Sequence, residues 1–188
     1  IRSIQPHGPY HLLGWSLGGR LAQHLAARLR SRGEDVALLV LLDAYPTQES
    51  ALEGVAPGDA MWRGLLDANG IAAPDDVELD VHAVQALLRE ADNPLADLPV
   101  ATVERMVRRF VRLGELFDST PVPTFDGDLH VVEATLEVPD GRPAPAAWEP
   151  HVTGAVASST VHVRHSDMLS DEAMTELVPI LDRLLEQG

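Results

Sequence analysis

The sequence predicts an α/β fold in which helices flank a mostly parallel sheet, and two stretches carry this prediction. A short apolar segment, Tyr10–Leu13, leads into a glycine-rich turn, and a helical pattern with leucine at every fourth residue follows at once. The next segment, Val36–Leu42, is apolar throughout, as expected of a strand buried on both faces of a parallel sheet. Strand, helix and strand in this order predict one right-handed βαβ unit.

Composition narrows the class of protein. At 188 residues the chain is long enough for one domain with a sizeable core and a subdomain. The net charge of −15 disfavours a nucleic-acid partner, because the phosphate backbone would be repelled. No apolar run approaches the roughly 18 residues that predict a membrane span. The chain has no cysteine, which excludes disulfides and thiol catalysis and favours a cytoplasmic location.

The first residues do not resemble the start of a protein. Ile1–Pro6 contains neither an initiator methionine nor the apolar segment of a signal peptide. The pattern is typical of the end of a helix that Pro6 terminates. We therefore expect the chain to begin within a larger protein.

The middle of the chain predicts helices and no strand. Between residues 47 and 124, three short apolar faces recur at helical spacing and are separated by Pro, Gly and Asp. Helices inserted between two strands of one sheet commonly form a lid over a site. We therefore interpret residues 47–124 as a helical lid.

The sheet resumes after this insertion. Leu129–Thr135 and Thr160–Val163 are the next predicted strands, separated by a proline-rich loop. A last amphipathic helix contains Pro179, which predicts a kink or a break there. Residues 1–46 and 125–188 are therefore the predicted α/β core.

The motif Gly14-Trp15-Ser16-Leu17-Gly18, placed between a strand and a helix, is typical of a nucleophile elbow. Its sharp turn would strain the backbone at Ser16, while Gly14 and Gly18 leave no side chain where strand and helix crowd together. Ser16 is therefore the predicted nucleophile. Its hydroxyl would lie at the positive end of the helix, where the backbone N–H of Leu17 can donate to an oxyanion.

A serine nucleophile needs a base, and the chain has eight histidines. His165 lies in a loop between a late strand and the last helix. The chain order of α/β-hydrolases, with serine first, then the acid and then histidine, puts the base in such a loop. We predict His165 as the base, and His162, inside the preceding strand, as the second choice.

The acid that orients this histidine has several candidates. Asp43 comes directly after the apolar strand, at the edge of the sheet where sites of α/β proteins form. Glu133, Glu137 and Asp140 follow the later strand, but their pattern is typical of a solvated surface. We therefore predict Asp43 as the acid.

Asp167 permits a different chemistry. His165-x-Asp167 matches the first two ligands of a facial-triad iron site. Such a site needs a second histidine, usually downstream, and none follows residue 165. Asp167 is also too close in sequence to orient His165 easily, so we interpret it as a loop cap and predict no metal site.

Residues 8–46 and 160–170 resemble the type I thioesterase domain of nonribosomal peptide synthetases, a branch of the α/β-hydrolase superfamily. In that family the acid follows the strand after the nucleophile helix, which independently favours Asp43, and the base lies in a loop like the one that holds His165. Members also have N-terminal strands and an oxyanion loop that this sequence does not contain. The resemblance therefore implies an α/β-hydrolase fold whose N-terminal part is missing, with one oxyanion donor unassigned.

The resemblance also implies a reaction. A peptidyl or acyl chain would arrive as a thioester on the phosphopantetheine arm of a carrier domain, transfer to Ser16 and leave by hydrolysis or macrocyclisation. No cofactor would be bound directly. Trp62, Met106 and Phe110 of the lid are the candidate pocket residues. The alternatives are a discrete editing thioesterase or esterase, and a non-catalytic hydrolase-like module that docks carrier proteins.

Overall fold

The computed structural model describes residues 1, 3–46, 58–67, 69–74, 77–138 and 141–187, and for residues 60, 110, 117, 118 and 187 it describes the backbone alone. The chain divides into two compact units. The α/β unit comprises Ile1–Gln48 and Pro121–Gly188, and the helical unit comprises Glu49–Thr120. In the described part of the chain, no helix is both long and apolar enough to span a membrane.

Four parallel strands form the sheet of the α/β unit. They follow one another across the sheet in chain order, so all four carboxyl ends lie at the same edge. The predicted parallel sheet is therefore confirmed. The strands are β1 (Tyr10–Trp15), β2 (Val36–Leu42), β3 (Leu129–Ala134) and β4 (Val156–Val161).

Strand β2 is apolar throughout because both of its faces are covered. Successive side chains of a strand point to opposite faces. Leu39 and Leu41 pack on the side of helix α1 (Leu17–Arg30), whereas Val40 and Leu42 pack on the side of the last helix, α5 (Asp171–Gln187). The two helices thus cover opposite faces of the sheet and fix the position of its carboxyl edge.

The helical unit has a core of its own. The three apolar faces expected from the sequence each form a helix, and their buried side chains pack in one cluster. These helices are α2 (Asp59–Asp67), α3 (Val81–Glu90) and α4 (Val100–Asp118). The role of this unit as a lid stays a prediction.

The structure differs from the sequence prediction in the bounds of one strand and the continuity of one helix. Strand β4 begins and ends earlier than expected, so that His162 follows the strand instead of lying within it. Helix α5 continues through Pro179, from Asp171 to Gln187, so the proline does not break it, and a kink at that position stays a prediction. Leu177 and Ile180, on either side of the proline, are both buried against the sheet, and this packing offsets the hydrogen bond that proline cannot donate.

The close approach of strand β1 to helix α1 depends on glycine at two positions. A Cβ on Gly14 would collide with the carbonyl oxygen of Gly18, and one on Gly19 would lie 2.5 Å from the Cβ of Ala44. Gly18, which the sequence motif singled out, has open space where its Cβ would be. The second glycine that the packing requires is therefore Gly19.

This geometry predicts opposite effects for two glycine-to-alanine substitutions. Gly14→Ala should lower the free energy of unfolding by about 2 kcal/mol or more, because the new methyl group meets backbone atoms of Gly18 and Gly19. Gly18→Ala, the matched control, should be neutral or stabilise by up to about 1 kcal/mol, since alanine favours the helix. Urea titrations of both variants measure the difference. Equal stabilities would contradict the packing described here.

Candidate active site

Ser16 occupies a strained turn between β1 and α1. Its backbone has φ 54° and ψ −125°, a region that non-glycine residues rarely adopt. Its N–H donates to the carbonyl of Leu42 at 2.9 Å, which continues the pairing of β1 with β2. Such strain costs about 1–3 kcal/mol and is found mostly at functional sites. Leu17 is the first residue of α1, so its N–H has no acceptor within the helix.

Asp43 lies immediately after β2 in a second unusual conformation. Its φ is 44°, which aspartate tolerates better than most residues. The residue is 4% exposed, and its N–H donates to the carbonyl of Val132 at 2.8 Å. The turn is thus held by the adjacent strand, and the carboxylate is enclosed at the carboxyl edge of the sheet.

A hydrogen bond of 2.7 Å joins His165 Nδ1 to Asp43 Oδ2. Because the carboxylate can only accept, Nδ1 carries the proton, and Nε2 of the neutral ring is then an acceptor. The histidine lies in a short 3₁₀ turn, His165–Asp167, and its side chain is 41% exposed. One ring nitrogen is therefore fixed by a buried anion, while the ring keeps access to solvent.

Trp15 links the nucleophile turn to the histidine loop. Its indole Nε1 donates to the carbonyl of His165 at 3.1 Å, and the two rings lie 5.4 Å apart between centroids. A hydrogen bond joins Asp43 to His165 directly, whereas Ser16 is linked to His165 through its chain neighbour Trp15. Among the described residues, the Ser16 hydroxyl itself forms no hydrogen bond.

Two side chains that the sequence did not single out, Tyr45 and Arg142, contact Asp43, and Glu133, one of the candidate acids, lies next to them. Tyr45 donates to Asp43 Oδ1 at 3.1 Å, and Arg142 forms an ion pair with the same oxygen at 3.2 Å. Arg142 also pairs with Glu133 at 3.2 Å. Glu133 was expected to be solvated, but its side chain is only 14% exposed, so that expectation is wrong. The position of Glu133 at the end of β3 was the sequence signal that could have placed it in the site. Arg142 lies in the proline-rich loop, where no pattern marks it.

The phenol of Tyr45 is held in its protonated form. Burial raises its pKa above the ordinary range for tyrosine, and the negative charge of Asp43 raises it further. Arg142, whose guanidinium carbon lies 5.7 Å from the centre of the tyrosine ring, lowers it in part. Tyr45 is therefore a hydrogen-bond donor to Asp43 over the physiological pH range.

The other candidates from the sequence have different surroundings. His162 contacts Thr135 through Nδ1 at 3.1 Å, and Asp167 contacts Ser166 at 3.3 Å. Glu137 is exposed and pairs with Arg164 at 3.1 Å. Asp140 lies outside the described residues.

The three proposed pocket residues lie in the helical unit. Trp62 is buried in the core of that unit, and Met106 on α4 is 46% exposed. The side chain of Phe110 lies outside the described part of the chain. Their contact with substrate stays a prediction.

Comparison with solved structures defines the fold. The chain matches a four-domain nonribosomal peptide synthetase bound to AMP and glycine with a TM-score of 0.81 and 21% identity, covering 97% of this chain and 15% of that one. It matches the SrfTE thioesterase domain, described for cyclisation of the lipopeptide antibiotic surfactin, with a TM-score of 0.61 and 21% identity, covering 98% and 71%. The protein therefore has the α/β-hydrolase fold, as predicted.

The sequence comparisons define the family. A profile of the thioesterase domain matches residues 1–185, so the chain belongs to the thioesterase-domain family. It is 33% identical over 192 residues to the dimodular nonribosomal peptide synthase of Bacillus subtilis (strain 168), and 35% identical over 185 residues to enterobactin synthase component F of Escherichia coli (strain K12). All of this chain is covered in the first match and 97% in the second, but only 8% and 13% of those relatives. The predicted likeness to thioesterase domains of nonribosomal peptide synthetases is confirmed.

The buried tyrosine predicts a loss of stability at alkaline pH. Tyr45 binds its proton more tightly in the folded than in the unfolded protein, where a tyrosine ionises near pH 10. Its contribution is therefore complete below about pH 10 and decreases as the pH rises above that value. Unfolding free energies of the native protein and Tyr45→Phe, compared between neutral and alkaline pH, measure it. An equally steep alkaline decrease in both proteins would contradict the assignment.

Proposed function

We propose that this domain releases a peptidyl or acyl chain from a carrier domain through an acyl-enzyme on Ser16. The observation that supports it best is the 2.7 Å hydrogen bond between His165 and Asp43, formed at the sheet edge where the strained Ser16 turn also lies. A buried carboxylate, an imidazole whose Nε2 can accept a proton and a hydroxyl on a nucleophile elbow together suit acyl transfer.

In the proposed reaction the imidazole of His165 transfers the proton. Ser16 Oγ attacks the thioester carbonyl carbon while His165 Nε2 accepts the hydroxyl proton. The oxyanion then collapses and the C–S bond breaks, and the imidazolium gives its proton to the departing thiolate, which leaves as the thiol. Asp43 stabilises the imidazolium during this exchange and keeps the ring in the required tautomer. The N–H of Leu17 is one proposed donor to the oxyanion; a second donor typically contributes a factor of about 10²–10³ in rate.

We infer the form of the substrate from the relatives. Nonribosomal peptide synthetases hold their growing chains as thioesters, so the proposed acyl donor is the phosphopantetheine arm of a carrier domain, with no cofactor bound by the thioesterase itself. Release requires a second nucleophile, which is either water or an amine or hydroxyl of the chain. We propose the helical unit as a lid that disfavours water and hence favours ring closure.

Covalent labelling tests the nucleophile. A fluorophosphonate should modify the full-length protein at Ser16, with loss of fluoride, and Ser16→Ala should abolish this labelling. Ser159→Ala is the matched control, because Ser159 Oγ also contacts a histidine, His130 Nε2, at 2.9 Å but lies within β4. Peptide mapping identifies the modified residue. Labelling that survives in Ser16→Ala would contradict the proposal.

Turnover of an acyl thioester tests the catalytic role of the acid. Asp43→Asn should reduce kcat by about 10⁴, since an amide at this position favours the wrong histidine tautomer. Asp167→Asn, in the same loop as His165, should retain most of the activity. Mass spectrometry of the products distinguishes the hydrolysed acid from the ring. If the native protein is correctly folded but turns over no thioester, the result would contradict the proposed release activity and support the alternative of a non-catalytic module that docks carrier proteins.

A further inference from the structure

Arg142 occupies an unusual place beside the proposed acid. Its Nη1 lies 3.2 Å from Asp43 Oδ1 and donates to the carbonyl of Ala134 at 2.5 Å, while its Nη2 lies 3.2 Å from Glu133 Oε2. The arginine side chain is 18% exposed. One guanidinium thus bridges two carboxylates and anchors to the backbone at the end of β3.

The contacts divide the two oxygens of Asp43 between different partners. Oδ1 accepts from Arg142, from the hydroxyl of Tyr45 at 3.1 Å and from the N–H of Ala134 at 3.2 Å. Oδ2 accepts from His165. Three donors therefore hold one oxygen, and the remaining oxygen is aimed at the imidazole.

Charge matters as much as geometry at this position. The titratable side chains in contact with Asp43 among the described residues are Tyr45, Arg142 and His165, and Glu133 approaches it through Tyr45 at 3.4 Å. Because Tyr45 is neutral, the positive charge of Arg142 offsets one of the two negative charges, those of Asp43 and Glu133. The next charged pair along the chain, Arg164 with Glu137, is exposed and neutral as a pair.

We propose that Arg142 is a positioning residue that acts through Asp43, fixing its Oδ1 and neutralising Glu133 so that His165 faces a single net negative charge. This inference rests on the proposed function, in which His165 is the base for Ser16. The guanidinium suits the task because its planar fork can donate to both acids at once and stays charged at all relevant pH values.

The inference predicts how charge changes move the pH dependence of Ser16 acylation. Arg142→Gln leaves two carboxylates near one imidazole, so protonated His165 is stabilised and the acid limb of the rate should move up by about one pH unit. Glu133→Gln removes one anion and should move the limb down. The double variant restores a single net negative charge and should return the limb to its native position.

The rate of Ser16 modification by excess fluorophosphonate, followed in the full-length protein from acid to alkaline pH, measures this limb without a defined substrate. Arg142→Lys keeps the charge and should keep the native limb even if the rate falls. Arg30→Gln is the matched control, because Arg30 pairs with Asp35 at the opposite edge of the sheet. It removes the same charge and should leave the limb unchanged.

The outcomes separate the two proposals. Failure of the native protein to label at Ser16 would overturn the proposed function. Native labelling with the same acid limb in Arg142→Gln, or a double variant that does not return to the native limb, would overturn the role of Arg142 alone. If Arg142→Gln does not fold by circular dichroism, the downward shift in Glu133→Gln decides the matter, and its absence overturns the inference.

Discussion

The site depends on one constraint, the common direction of the four strands. Ser16, Asp43 and His165 are widely separated in the chain, yet each follows a strand and therefore lies towards the carboxyl edge of the same sheet. Covering both faces of β2 with helices keeps that edge in place. The 2.7 Å bond between Asp43 and His165 is the direct result.

Two residues at this edge have strained backbone conformations, which reduce the stability of the fold but position the side chains of the site. Ser16 and Asp43 both have positive φ, and each is held there by a backbone hydrogen bond to the neighbouring strand. Tyr45, Arg142 and the N–H of Ala134 then compensate the burial of the Asp43 carboxylate with hydrogen bonds and one opposite charge. A buried anion is thereby kept available to the histidine that contacts it.

The sequence predicted what local patterns encode. The apolar run Val36–Leu42 is strand β2 with the same bounds, and the motif around Ser16 is a strand–turn–helix junction. The pairing of Asp43 with Arg142 was not predicted, because it depends on which loops meet in space and Arg142 comes from a proline-rich loop with no periodicity. Gly19 was missed for a related reason, since the motif marks spacing along the chain and not the approach of Ala44. The close packing of β1 against α1 depends on tertiary structure, whereas the turn between them is encoded by the local sequence.

The tautomer of His165 tests the central claim most directly. The full-length protein is labelled with ¹⁵N-histidine and studied by NMR at a pH at which the His165 ring is neutral. The ring proton should then be found on Nδ1, with the signal assigned by comparison with His165→Gln. In Asp43→Asn the proton should no longer be restricted to that nitrogen. A native spectrum in which Nε2 carries the proton, or one that Asp43→Asn leaves unchanged, would contradict the account.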